Sequence, residues 1–108
     1  MKYLSAKHIE FPEIHKVYNL SMLGNKTDYD NPNDKQKHNL SKLFESLDKH
    51  GMTHPIIISW NAYQVSVGHQ RVWYAKSKGY THIDCYHVEN QTQWEKVFNF
   101  TANEEYLK

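Results

Sequence analysis

At 108 residues, 39% of them apolar and 14% aromatic, the chain holds material for one core and is expected to form a single domain over residues 1–108. A formal net charge of +1 lacks the broad basic excess by which domains cling to a nucleic-acid backbone, which leaves room only for a local patch. No apolar run is long enough to cross a bilayer, Met1 to His8 have no apolar stretch of signal-peptide type, and Cys85 has no cysteine to pair with, so a reducing cytoplasm and no membrane partner are expected.

In chain order, Ile9 and Phe11 alternate, Pro12 interrupts, and Ile14, Val17, Tyr18 and Leu20 follow, which predicts one or two short strands over residues 6–20 with an edge or bend at the proline. From Ser21 to Asp34 turn formers dominate and predict a long loop. Its Asp28, Asp30 and Asp34 lack the central glycine and distal glutamate of an EF-hand, so they are read as a solvated loop. Leu40, Leu43, Phe44 and Leu47 have the spacing of a buried helical stripe over residues 35–50, with Asn33 or Asp34 as cap and Gly51 as stop. Pro55 to Trp60 is a β-branched run expected as a buried strand. Asn61-Ala62 should turn the chain into a second strand, in which Tyr63, Val65 and Val67 alternate with polar residues. A helix is expected over 69–78, stopped by Gly79, with Val72 and Ala75 inward and either Trp73 or Tyr74 partly exposed. Thr81 to Val88 reads as a strand with Ile83 and Cys85 on one face. Thr92-Gln93-Trp94-Glu95 reads as a capping box opening a last helix with Trp94, Val97 and Phe98 inward. The fold class is α+β: a small mixed sheet with about three flanking helices.

The candidate site is the turn between the second strand and second helix of this scheme. A strand leads into Gly68, which permits unusual backbone angles and close approach of a ligand. The helix that follows presents N–H groups and a partial positive charge at its first turn. Arg71, the chain's single arginine, sits in that turn, and its planar fork can grip an oxyanion at two points. His69 adds a donor or an acid/base group. A phosphate is the natural occupant. The nearest histidine cluster, His82, Asp84, His87 and Glu89, has no zinc-type spacing, and no metal site is assigned. Trp60, Tyr63, Trp73 and Tyr74 serve either as core or as surfaces on which a base stacks.

The element order around this turn resembles the ParB/sulfiredoxin fold family. The matching stretches are Leu43 to Gly51, His54-Pro55-Ile56-Ile57-Ile58, Tyr63-Gln64-Val65, Gly68-His69-Gln70-Arg71 and Gly79 to Val88, together about residues 40–88. The Gly-His-x-Arg form looks most like stand-alone ParB-like nuclease domains of phage and mobile elements, and like the family's nucleotide-using serine kinases. The resemblance implies a nucleotide or nucleic-acid phosphate bound by Gly68, His69, Gln70 and Arg71, with Thr53 and His54 approaching it. It implies phosphoryl or phosphodiester hydrolysis of nuclease or NTPase type, for which His69 is the candidate catalytic residue; the cofactor is left open, with a nucleotide and Mg2+ as the candidate, and a protein partner or a homodimer is the candidate further partner. Where sulfiredoxins carry the reactive cysteine this chain has His69, where partition proteins read Gly-Glu-Arg-Arg it has His69 and Gln70 in the middle, and the common acidic residue before the glycine is Val67. Sulfiredoxin activity is therefore not expected. The alternative, a non-catalytic phage accessory module that binds a host protein, stays open beside the phosphate-binding one.

Overall fold

A computed structural model describes residues 2–24 and 34–102, with the side chains of 2–24 and 41–101. The elements in chain order are β1 (Tyr3–Leu4), a 3-10 turn (Pro12–Ile14), β2 (His15–Asn19), a second 3-10 turn (Leu20–Met22), α1 (Asp34–His50), β3 (Ile56–Ile58), β4 (Val65–Val67), α2 (His69–Ser77), β5 (His82–His87) and α3 (Gln91–Ala102). Among the described residues these form a mixed five-stranded sheet with three α-helices.

β5 is the strand to which most of the others attach. β2 pairs with it antiparallel from His15↔Tyr86 to Asn19↔His82. β1 pairs parallel at its start, Tyr3↔His82, and β3 parallel at its end, Ile58↔His87, so these two share its other edge. β4 extends the sheet beyond β3, antiparallel, with a register shift between Ile57 and Ile58. On the far side of β4, the Gly24 N–H donates to Tyr63 O (2.7 Å) and the Val65 N–H donates to Gly24 O (2.8 Å).

The alternation of side chains along a strand divides the core in two. Ile56, Ile58, Ile83 and Cys85 point to the face that packs Leu47 of α1 and Val72, Tyr74 and Ala75 of α2. Ile57 and Tyr86 point to the opposite face, with Phe11, Ile14 and Val97 of α3. The Ile56–Ile58 run is buried throughout because both of its faces are covered.

Several expectations need correction. Ile9 and Phe11 are not in a strand: Pro12 opens a 3-10 turn, His15–Asn19 forms the strand, and Ala6 makes an isolated parallel bridge to Met52. Tyr63 lies before β4 and is exposed, because Ser59 to Gln64 forms a longer connection than Asn61-Ala62 alone. The cap of α3 is not at Thr92. The Gln93 N–H donates to Asn90 Oδ1 (2.8 Å), and Gln93 Oε1 accepts from the Glu89 N–H (2.6 Å), so the box is built two residues earlier. Phe98 is not inward; it is 37% exposed, while Val97 fills the core. Tyr74 is the buried member of its pair with Trp73, its hydroxyl donating to Asp48 (2.8 Å), and Trp73 packs half-buried against Phe44. Asp28, Asp30 and Asn33 and the side chains of Asp34 and Leu40 lie outside the described residues.

Candidate functional site

β4 brings the chain to Gly68, which caps α2 with φ 108° and ψ 23°. This is the left-handed region, and space forbids a side chain as well: a Cβ there would lie 2.5 Å from Ile56 Cγ2 and 3.1 Å from Arg71 Nη2. The first helical hydrogen bond runs from the Val72 N–H to Gly68 O (3.0 Å). The amides of His69, Gln70 and Arg71 therefore have no acceptor within the helix, and Gly68 itself has no side chain with which to cap them.

Arg71 turns back under this opening. Its Nη1 donates to the backbone oxygen of His54 (2.7 Å), which ties the segment before β3 to the turn. Burial pulls the guanidinium down to about 10, and it stays protonated at neutral pH. Among the described residues no carboxylate pairs with it. Burial also pushes the Cys85 thiol up to about 12, so at neutral pH it supplies no counter-charge.

The turn opens onto a cleft of about 930 Å³. All six residues singled out from the sequence, Thr53, His54, Gly68, His69, Gln70 and Arg71, line it. So do residues that the sequence did not single out. Lys7 and His8 arrive because the Lys7 and His8 N–H groups donate to Met52 O and Thr53 O (2.9 Å each). His50 comes from the end of α1, Ser66 from β4, and Phe98 and Thr101 from α3. Four of the chain's eight histidines thus border one cleft, with Lys7 and Arg71, and no Asp or Glu among the described residues lines it. His54 is 2% exposed, its ring edge-on to Phe100 and 5.9 Å from His8. Magnesium is held by one or two carboxylates together with phosphates, so this donor set does not fit a magnesium ion held by the protein.

The other histidine cluster resolves differently. Asp84 is 2% exposed and accepts from the Tyr3 hydroxyl, the Ala6 N–H (2.7 Å) and His15 Nε2 (2.5 Å). The His87 Nε2–H donates to Ser59 O (3.0 Å), and its Nδ1 is bonded to the Tyr18 hydroxyl (2.6 Å). These groups hold strands together. Among the described residues no group of three or more His, Cys, Asp or Glu side chains is arranged to hold a metal ion.

The family model described as the ParB N-terminal domain matches residues 5–103. The chain belongs to this family. Among solved structures, it is similar to a Pnob8-like ParB-N domain in its C2221 form, with a TM-score of 0.51 and 19% sequence identity over 84% of this chain. The chain spans 37% of the length of that solved chain. No curated protein sequence matches it. The ParB-N family has the small mixed sheet and flanking helices expected from the sequence, and among the described residues no helix of this ParB-like domain is long and apolar enough to cross a membrane.

Proposed function

We propose that this ParB-like domain binds the phosphate of a nucleotide or nucleic acid at the Gly68–Arg71 turn, with Thr53 and His54 closing the site from the side of β3. The observation that carries the proposal is Arg71: a half-buried guanidinium that lines the cleft, with no carboxylate paired to it among the described residues, in the first turn of the helix that Gly68 opens. A cation withdrawn from water is stabilised by an anion brought close to it. The helix dipole at the start of α2 favours the same charge at the same place. Lys7 and the bordering histidines add cationic character without an opposing carboxylate. His69, at the first position of α2, is the group best sited to move a proton if the bound phosphate ester is hydrolysed.

The test is a thermal shift and calorimetric titration of the whole chain with CTP, ATP, ADP, pyrophosphate and short DNA, with magnesium and with EDTA. A shift with at least one phosphate-bearing ligand is expected, and it should be lost in Arg71→Lys. Because Arg71 also holds His54, the unliganded melting temperature of the variant is measured beside it, and far-UV circular dichroism checks that it is folded. No shift with any of these ligands, or one retained in a folded Arg71→Lys variant, overturns the proposal. Release of phosphate or of cleaved DNA by the wild type, absent in His69→Ala, would add hydrolysis to binding.

A further inference from the structure

The face of α3 that borders the cleft does not behave as its sequence pattern predicts. Trp94, Val97, Phe98 and Thr101 have the spacing of one buried stripe. Val97 is fully buried and Trp94 packs against the core, but Phe98 joins neither core cluster and, with Thr101, lines the cleft. Phe98 is backed by Trp94: the rings are parallel within 8°, with centroids 4.8 Å apart. Trp94 is fixed in turn, its Nε1–H donating to Ser66 Oγ (2.8 Å). Ser66 belongs to β4, the strand that delivers Gly68. One face of the Phe98 ring is thus covered and held in place, and its exposed surface borders the cleft that holds the turn. A large apolar surface left in water beside a cationic site is stabilised when a flat, apolar group covers it.

We infer that Phe98, backed by Trp94 and keyed to β4 through Ser66, is a stacking platform for the nucleobase of a phosphate-bearing ligand. The inference rests on the phosphate reading of the Gly68–Arg71 turn. The chemistry is a base joined to phosphate, and it can come from a free nucleotide or from single-stranded nucleic acid. Stacking tolerates any base, so the platform adds affinity with little sequence preference.

The experiment compares inorganic triphosphate, ATP, CTP and a short single-stranded oligonucleotide, titrated into wild type, Phe98→Ala and Phe98→Tyr. In wild type, a base-bearing ligand is expected to bind more tightly than inorganic triphosphate. In Phe98→Ala its affinity should fall by roughly 5- to 100-fold, that of inorganic triphosphate should be nearly unchanged, and Phe98→Tyr should restore base binding. Mononucleotide binding as tight as oligonucleotide binding identifies a free nucleotide, and the reverse order identifies single-stranded nucleic acid; either supports the platform. If wild type binds inorganic triphosphate as tightly as every base-bearing ligand, or if Phe98→Ala weakens both alike, the platform is overturned while the phosphate site stands. If wild type binds none of the four, the phosphate reading fails and the platform falls with it.

Discussion

Asp84, on β5, ties the N-terminal segment to the sheet through Tyr3 and the Ala6 amide. Read locally, it belongs to a polar strand end with His82, His87 and Glu89. In the fold it is a buried carboxylate that accepts from Tyr3, the Ala6 amide and His15, partners 81, 78 and 69 positions away. No local spacing can announce contacts that distant. Burial and the hydrogen bond to Asp84 together hold the Tyr3 hydroxyl well above its ordinary range. Asp84→Ala should cost about 3 kcal/mol, because three donors lose their acceptor at once. Urea denaturation gives the energy, and hydrogen exchange at the Ala6 amide should show the N-terminal segment opening first. Gly68 is the opposite case. Its role was readable because a strand, a glycine and a helix in succession leave few options for the backbone, and the positive φ follows from that geometry.

At the level of elements, legibility tracked length and the number of faces covered. The β-branched Ile56–Ile58 run and the amphipathic helix ending at His50 were plain, since period and composition agreed in each. β1 was invisible: two residues carry no period, and Tyr3–Leu4 is a strand only because β5 lies beside it. The start of α3 shows how a right motif can be set in the wrong register. Thr92 and Glu95 satisfy the capping pattern, but Asn90 with Gln93 satisfies it earlier and ends the preceding connection sooner. Asn90→Ala is expected to cost about 1 kcal/mol, while Thr92→Ala should change stability little. Paired denaturation curves of the two variants decide between the registers.

For the whole molecule, the half-core that packs α1 and α2 against the sheet sets the response to alkali. The Cys85 thiol, ordinarily near 9, is pushed up to about 12 by burial, and Tyr74, ordinarily near 10, to about 12 by burial and its bond to Asp48. Between about pH 9 and 12 the unfolded chain releases these protons and the folded chain keeps them. The folded state then binds more protons, so stability falls as pH rises. Wild type should therefore lose stability through this window more steeply than Cys85→Ala, which urea midpoints collected from pH 8 to 11.5 will measure. The six residues picked from the sequence line one cleft because a single turn and the segment tied to it by Arg71 carry them all. Lys7, His8 and Phe98 escaped because they reach that cleft from segments distant in the chain.

The central position of β5 has a consequence for how the molecule comes into being. On a growing chain, β1, β2 and β3 all appear before the strand they share, and β5 is followed only by α3 among the described elements. Until His82–His87 has been synthesised, those strands have no common neighbour, and none is long enough to persist alone. The sheet therefore closes in one late event that brings together segments up to 79 positions apart (Tyr3 and His82, 82 − 3). Such non-local closure is slow, with mixed folds intermediate between helical bundles and all-β barrels. While it is pending, the Ile56–Ile58 run is the segment most in need of shelter.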